Sequence, residues 1–204
     1  MTIKEILRSF ADHMQKEYNY YLRSPQSFPG EWHGLKFTFL GHGDYMVVFR
    51  YQDLAIKIPK RSDYPLEKDK ERLLTLKPWS SYEKYVAHDS NWIATRFIQG
   101  ERLDKLWESD SLVLTDEAIL HLEFDLRHSM IATSYLPWDV ELFNLIKTPQ
   151  GHLKLIDTGE FLNRQELPVY EQKEAFQASL ERINKAILLL SEHVTRSLPH
   201  QQHK

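Results

Sequence analysis

Three oxygen-bearing side chains in the second half of the chain constrain its fold more than any other feature. Asp139, Asn144 and Asp157 lie within 19 residues. Two short apolar runs, Leu142 to Ile146 and Leu153 to Ile156, flank a proline, glutamine and glycine turn, and this pattern predicts a β-hairpin. The hairpin would bring the three side chains together at one edge. Mg²⁺ prefers such oxygen ligands and takes only one or two protein carboxylates beside the phosphates of a substrate.

The first half of the chain carries a second set of short strands. The alternation from Leu35 to Ile58 predicts three strands, with turns at Gly41-His42-Gly43 and at Gln52-Asp53. Glycines leave the backbone bare, so the amides of such a turn can approach phosphate oxygens closely. Lys57 lies on the third strand, within Ala55-Ile56-Lys57. The sequence therefore predicts a phosphate-binding element upstream of the hairpin.

Together these motifs resemble those of the protein-kinase-like superfamily. Asp139-x-x-x-x-Asn144 is similar to its catalytic loop, and Asp157-Thr158-Gly159 is similar to its metal-binding motif, with threonine in place of the usual phenylalanine. Gly41-x-Gly43 matches the first part of the glycine-rich loop, and Lys57 matches the strand lysine. The resemblance covers about Leu35 to Gly159.

The resemblance implies an α+β, two-lobed kinase-like fold. It has a small β-rich N-lobe, a reduced and mainly helical C-lobe, and an added N-terminal helix. The expected parts are residues 1–34 (helix and loop), 35–100 (N-lobe) and 101–204 (C-lobe). ATP and Mg²⁺ are the implied cofactors.

The resemblance also implies roles for single residues. Asp139 would be the catalytic carboxylate, and Asn144 and Asp157 would bind the metal. Lys57 would hold the nucleotide phosphates, with Gly41 and Gly43 lying over them.

Two further segments match the same order of motifs. A short helix from Leu66 to Leu76 would supply a glutamate that pairs with the strand lysine, with Glu71 as first choice and Glu67 as second. The strand that begins at Trp92 would run out into the hinge between the lobes. Adenine would then bind backbone groups near Arg96 and Ile98.

The remaining segments of the chain read as helices and loops. Helical spacing of apolar residues predicts helices over 2–22, 115–133 and 170–198. Thr2 and Glu5 are spaced as a capping box, which favours a helix start at that point. Residues 24–34 are rich in proline and glycine and predict a loop. His121 and His128 lie seven residues apart on the second helix, a spacing that favours structural roles over metal binding.

Composition excludes several classes of function. The chain has 204 residues, of which 42% are hydrophobic and 27% charged, as in ordinary globular proteins. A net charge of −3 without a basic block argues against nucleic-acid binding, and the absence of cysteine excludes disulfides, thiolate metal sites and a cysteine nucleophile.

No apolar run reaches the roughly 18 residues of a membrane helix, and the N-terminus lacks a general secretory signal. We expect a cytoplasmic protein, or one secreted into a host cell by a signal that is not readable here. The oligomeric state stays open.

Departures from the family pattern refine the expectation. Met46 stands at the third glycine of the loop, Pro137-Trp138 replace the usual His-Arg, and Glu141 stands where protein kinases commonly have a lysine. No Ala-Pro-Glu segment follows Gly159. Without the arginine, control by a phosphorylated activation loop has no charge to act on. The chain resembles a minimal, atypical, bacterial-type kinase domain.

Three functions remain open at the level of sequence. The first is a compact protein Ser/Thr kinase, such as a bacterial effector or toxin-like enzyme, with a protein hydroxyl as acceptor. The second is a small-molecule or glycan kinase. The third is a pseudokinase that binds nucleotide without transfer, which the substitutions at Met46, Trp138, Glu141 and Thr158 would favour.

Overall fold

The chain divides into two units with separate hydrophobic cores. The computed structural model describes residues 2–16, 28 and 30–197, with the side chains of 195–197 excepted. One unit comprises Met1–Leu74 and Lys84–Phe97, and the other comprises Thr75–Glu83 and Ile98–Lys204. The predicted helical residues Tyr18 and Tyr21 lie outside the described residues. The α+β class expected from the sequence is confirmed.

The first unit is built on a five-stranded antiparallel sheet. Its elements are α1 (Ile3–Lys16), β1 (Glu31–Trp32), β2 (Leu35–Lys36), β3 (Thr38–His42), β4 (Met46–Tyr51), β5 (Leu54–Pro59), α2 (Leu66–Thr75), β6 (Tyr85–Asp89) and β7 (Trp92–Arg96). The strand order in the sheet is β3-β4-β5-β7-β6, and all neighbouring strands are antiparallel.

Helix α1 forms the core of this unit with the sheet. Its capping box is present, because the Thr2 amide donates to Glu5 Oε2 at 2.6 Å and the Glu5 amide donates to Thr2 Oγ1 at 3.3 Å. Phe10 is fully buried and stacks on Phe37, with ring centroids 3.7 Å apart. The helix predicted over 2–22 is confirmed for Ile3–Lys16.

Alternate residues of the central strands face two different clusters, as the period of a strand requires. Phe49 and Ile56 pack in the cluster that contains α1. Ile93 packs with Leu66 and Leu73 of α2. Helix α2 therefore packs on strand residues that point away from the α1 cluster.

One prediction in this unit is wrong, and one strand was not predicted. Residues 31–36 belong to a short hairpin, β1 with β2, where a loop was predicted up to residue 34. His33 and Gly34 both have positive φ, 49° and 74°, which allows the tight turn that joins these strands. Strand β6 was not predicted at all, because its five residues are half-buried or exposed and show no clear alternation.

The second unit combines two long helices with short strands. Its elements are β8 (Glu101–Arg102), α3 (Leu103–Glu108), α4 (Asp116–Ala132), β9 (Tyr135–Leu136), a 3₁₀-helix (Leu142–Asn144), β10 (Leu145–Lys147), β11 (Leu153–Leu155), β12 (Leu162–Asn163), a second 3₁₀-helix (Arg164–Glu166) and α5 (Val169–Ser197). Strands β11-β10-β8 form one antiparallel sheet, and β12 pairs with β9.

The apolar stripes predicted for the two long helices are confirmed. Leu122 and Leu126 of α4 are fully buried, as are Ile183 and Leu190 of α5. Thr115 caps α4 by accepting a hydrogen bond from the Ala118 amide. These helices support the segment that carries the predicted catalytic residues. No helix in the described ranges is both long enough and apolar enough to cross a bilayer.

Gly100 permits a close backbone approach at the start of β8. A Cβ atom at this position would lie 2.3 Å from the carbonyl oxygen of Lys147, and Gly100 has φ of +152°. Only glycine can therefore stand where the chain meets the end of β10.

Candidate functional site

The loop between β9 and β10 is closed by a hydrogen bond between two predicted site residues. Asn144 is buried, and its Nδ2 donates to the Asp139 carboxylate at 2.7 Å and to the Asp139 carbonyl at 3.3 Å. A turn of 3₁₀-helix, in which the Asn144 amide donates to the Glu141 carbonyl at 3.0 Å, brings Asn144 to this position. The structure brings Asp139 and Asn144 together as predicted.

The hairpin itself is confirmed, with one correction. Strand β10 pairs with β11, with Leu145 opposite Leu155. The strand predicted to begin at Leu142 begins only at Leu145, since residues 142–144 form the 3₁₀-turn. The bonds from Asn144 back to Asp139 and Glu141 need this turn, and an extended backbone could not supply them.

Asp157 directly follows a residue that is bonded to Asn144. The Ile156 amide donates to the Asn144 carbonyl at 3.0 Å, so the backbone sets the spacing of Asn144 and Asp157. Asp157 is exposed, and its Oδ1 accepts a hydrogen bond of 2.9 Å from the Gly159 amide. This local bond fixes the direction of the carboxylate.

The donor atoms of these residues suit a hard cation. Because the amide nitrogen of Asn144 faces Asp139, its oxygen is the side-chain atom left to bind a cation. Asp157 contributes a carboxylate at the surface. Within the described ranges no group of three or more His, Asp or Glu side chains could hold a metal by itself. Mg²⁺ that is bound together with phosphates does not need such a group.

The residues that replace the usual His-Arg are held by helix α5. Ser179 is fully buried, and its hydroxyl donates to the Pro137 carbonyl at 2.6 Å. The guanidinium carbon of Arg182 lies 4.1 Å from the centroid of the Trp138 ring, within the range of a cation–π contact. Ser179 and Arg182 were not identified from the sequence, because nothing local marks contacts that span more than forty positions.

In the first unit, Lys57 and Gly41 share one row across the sheet. Gly41 pairs with Val48, Val48 pairs with Lys57, and Lys57 pairs with Ile93. Lys57 is half-buried near the middle of β5, on the side of the sheet that carries Ile93. The predicted lysine and the first glycine are thus two strands apart, roughly 10 Å.

The turn predicted at Gly41-His42-Gly43 begins later than expected, because Gly41 and His42 belong to β3 and pair with β4. The turn after His42 is partly closed by its own backbone. The Gly43 amide donates to the Met46 carbonyl at 3.0 Å. The Met46 side chain, at the place of the missing third glycine, packs against the cluster of Leu66, Leu73 and Ile93. Gly41 therefore stays the better candidate for close approach of phosphate, and Gly43 serves the turn.

Neither predicted glutamate lies on the buried face of α2. Glu71 is exposed, and Glu67 is exposed and bonded to Lys70 at 2.8 Å and to His88 at 2.6 Å. The hydrogen bonds from Lys70 and then from His88 lower the pKa of Glu67. Pairing of Glu71 with Lys57 stays a prediction.

The acidic side chain on the buried face of α2 is Asp69, which is bonded to the buried Arg72. A signal for Asp69 was present in the sequence. It lies three residues after Leu66 and four before Leu73, and therefore shares their helix face.

Of the predicted hinge residues, Arg96 is the last residue of β7 and Ile98 follows two positions later. The Arg96 amide donates to the Lys84 carbonyl at 2.7 Å, and the Phe97 amide donates to the Asp53 carbonyl at 2.7 Å. The Arg96 guanidinium also pairs with the Asp53 carboxylate. Ile98 is the first residue of the longer of the two stretches that form the second unit, Ile98–Lys204. Adenine binding near Arg96 and Ile98 stays a prediction.

Comparisons with known proteins give one structural similarity. No family model matches the sequence, and no curated protein matches it. Among many similar solved chains is the crystal structure of WbdD, with 15% sequence identity and a TM-score of 0.48. The match covers 82% of this chain and 47% of the WbdD chain, so this chain spans about half the length of WbdD. A TM-score below 0.5 at this identity does not assign the chain to a family.

Proposed function

We propose that the protein is an ATP- and Mg²⁺-dependent phosphotransferase, an atypical compact kinase that acts on Ser or Thr hydroxyls of proteins. The observation that carries this proposal is the 2.7 Å bond from Asn144 Nδ2 to the Asp139 carboxylate. It occurs in a loop whose backbone also sets the position of Asp157, through the bond between Ile156 and Asn144. A carboxylate, an amide and a second carboxylate in this order suit phosphoryl transfer, which depends on positioning and charge stabilisation.

Asp139 is the group that orients the acceptor. A carboxylate close to the attacking oxygen accepts the hydrogen bond of the hydroxyl and takes up its proton as transfer proceeds. The bond from Asn144 restricts rotation of this carboxylate, so one oxygen is held and the other can face the acceptor. Such a positioned base contributes about 10²- to 10⁴-fold to a rate.

Asn144 and Asp157 are the residues that would hold Mg²⁺. The Asn144 amide oxygen and the Asp157 carboxylate are hard oxygen donors, the kind that this ion binds. When bound, the ion neutralises charge on the phosphates. The Gly159 amide keeps Asp157 in place by its bond to Oδ1.

The first unit supplies candidates for phosphate binding. The resemblance assigns to Lys57 the cation that holds the α- and β-phosphates, and to the glycine turn the backbone that approaches them. Gly41 and Lys57 lie in the same cross-strand row, which supports this assignment.

The activity would not depend on phosphorylation of an activation loop. That control needs an arginine before the catalytic aspartate, and Trp138 occupies the position. Trp138 instead contacts Arg182, and Pro137 accepts a bond from Ser179. Contacts with helix α5 thus hold the segment before Asp139, and a phosphorylated activation loop would not be needed to order it.

Transfer of labelled phosphate tests the proposal. The purified protein is incubated with γ-labelled ATP and Mg²⁺, alone and with a cell lysate, and nucleotide binding is measured in parallel. Asp157→Ala is the inactive variant. Glu160→Ala is its matched control, since Glu160 is an exposed carboxyl group three residues further along.

Labelled protein bands that vanish only in Asp157→Ala support a protein kinase. ATP turnover that requires a small-molecule extract indicates a metabolite or glycan kinase instead. Nucleotide binding without any turnover indicates a pseudokinase. Equal transfer by wild type and Asp157→Ala removes Asp157 from the site.

A further inference from the structure

A small groove lies beside the loop that carries Asp139. Its volume is about 100 Å³, and it is formed by the loop and helix α5. The lining residues are Val140, Glu141, Leu142, Leu145, Arg182, Lys185, Ala186 and Leu189. Val140 and Glu141 follow Asp139 directly in the chain, so the groove begins one residue after the proposed acceptor-binding residue.

The groove carries a surplus of positive charge. Arg182 and Lys185 line it from α5, and Glu141 is the one acidic residue among the lining side chains. Across the described part of the chain, Glu141 forms no ion pair with either cation. Two cations therefore face the groove against one carboxylate, and an anionic group would be attracted to it.

Two contacts between helix α5 and the residues before Asp139 hold Arg182 in position. Its guanidinium lies over the ring of Trp138, the residue before Asp139. One helical turn earlier, Ser179 bonds to the Pro137 carbonyl at 2.6 Å. The charge is thus held over Trp138 before any ligand arrives, which lowers the entropic cost of binding.

The size of the groove selects the kind of ligand. Small-molecule sites commonly measure about 300–1,000 Å³, and a cavity of about 100 Å³ holds a single side chain. Its floor is apolar, because Leu145 is fully buried and Val140 is nearly so. An apolar floor below two cations matches a methylene stem that ends in a carboxylate.

We infer that this groove binds an acidic side chain of a polypeptide, a glutamate or an aspartate that lies close to the accepting Ser or Thr. The part of the inference that concerns the accepting Ser or Thr rests on the proposed function. The part that concerns binding of an acidic side chain rests only on the shape and charge of the groove. It gives the substrate class as an acidic protein segment and assigns its recognition to Arg182 and Lys185.

Direct binding tests the inference without requiring catalysis. Three short fluorescein-labelled peptides have a central serine flanked by glutamates, by alanines or by lysines, and fluorescence anisotropy measures their binding to the full chain. We expect the glutamate peptide to bind at least about tenfold more tightly than the alanine peptide, a difference of about 1.4 kcal/mol. High salt should weaken this preference, because exposed charges are screened.

Charge reversal on α5 identifies the residues. Arg182→Glu combined with Lys185→Glu should abolish the preference for glutamate, and Arg182→Gln should reduce it. Lys173→Glu is the matched control, since this exposed lysine lies nine residues before Arg182 and hence on the opposite side of α5. Circular dichroism of each variant checks that the fold is retained.

The outcomes of these experiments test the inference and the proposed function separately. Equal affinity for the three peptides, or a preference that survives charge reversal, overturns the inference. Displacement of the glutamate peptide by inorganic phosphate as readily as by unlabelled peptide would make the site a phosphate site and also overturn it. Glutamate-selective binding without phosphoryl transfer keeps the inference and overturns the proposed function. Phosphoryl transfer without a preference for the glutamate peptide keeps the proposed function and overturns the inference.

Discussion

Asn144 donates a 2.7 Å hydrogen bond from its side-chain Nδ2 to the carboxylate of Asp139, five residues earlier in the chain. The donor is buried and the acceptor carries a negative charge, so the bond belongs to the stronger, charge-assisted class. The bond therefore needs both a donor at position 144 and an acceptor at position 139.

Asn144→Asp should damage both stability and transfer. It replaces a hydrogen-bond donor with a second carboxylate at bonding distance from Asp139, and we expect a loss of about 1–3 kcal/mol in the free energy of unfolding. Urea unfolding at neutral pH measures this loss. Asn184→Asp is the control, because Asn184 accepts a bond from Arg127 and a carboxylate would keep it. Equal stability of wild type and Asn144→Asp would contradict the role of the bond.

Asp139→Asn should separate binding from chemistry. The amide keeps the size of the side chain but cannot accept a proton, so transfer should fall by at least about 10²-fold. Nucleotide binding should change little, since Asp139 is assigned to the acceptor. The assay with labelled ATP measures the rate of transfer, and a parallel nucleotide titration measures the affinity for nucleotide. If nucleotide binding is lost along with transfer, Asp139 holds the loop together and does not act on the acceptor.

Gly100→Ala should destabilise the second unit. The new methyl group would lie 2.3 Å from the Lys147 carbonyl oxygen, and backbone atoms cannot move aside as a flexible side chain could. We expect a loss of more than about 2 kcal/mol in the free energy of unfolding, measured by chemical denaturation.

Gly151→Ala controls for backbone conformation. Gly151 has φ of +86° but no atom within 4 Å of the added carbon, so this change should cost only about 1 kcal/mol. Similar losses for the two variants would mean that the contact with Lys147 relaxes freely.

Ser179→Ala should loosen the loop in front of Asp139. It removes a fully buried hydroxyl that donates to the Pro137 carbonyl at 2.6 Å, and leaves that carbonyl without this donor. The expected cost in the free energy of unfolding is about 1–3 kcal/mol. Transfer should fall further than nucleotide binding. Ser62→Ala, at an exposed serine of the first unit, should leave both unchanged.

Acid should weaken the pair formed by Arg102 and Asp104. The hydrogen bond from the Arg102 side chain lowers the pKa of Asp104, so folding favours the charged carboxylate. The stabilisation is complete above the unfolded pKa of about 4 and is lost as the pH falls through the lower folded value.

Comparison with Asp104→Asn across pH measures this effect. The two proteins should differ by up to about 1 kcal/mol in the free energy of unfolding at neutral pH, and the difference should shrink below about pH 4. A difference that stays constant to strongly acidic pH would remove the ion pair as its cause.

Local patterns predicted the helices and the hairpin, because their signals lie within a few residues. The apolar stripe of α4 and the capping box at Thr2 and Glu5 are read directly from spacing. The same spacing failed at residues 142–144, where an apolar run is compatible with both a strand and a 3₁₀-turn. There the bond between Asn144 and Asp139 decides the conformation, and the apolar spacing does not encode it.

The predicted site is only partly visible in the sequence. The order of Asp139, Asn144 and Asp157 located the loop, since the three residues are close in the chain. The choice of Glu71 on α2 followed its place ahead of two leucines, but the inward face is set by packing of Leu66 and Leu73 and carries Asp69. Such orientations are decided by tertiary contacts.

The two ends of the hairpin formed by β10 and β11 differ in exposure and in their distance from the predicted site residues. At one end the Ile156 amide binds the Asn144 carbonyl, and at the other the Thr148 amide binds the His152 carbonyl around an exposed turn at Pro149 and Gln150. Since pairing is completed before the turn is reached, the turn tolerates added length. It is therefore a convenient attachment point, where a short tag or a fluorophore could be inserted while the spacing of Asn144 and Asp157 is kept.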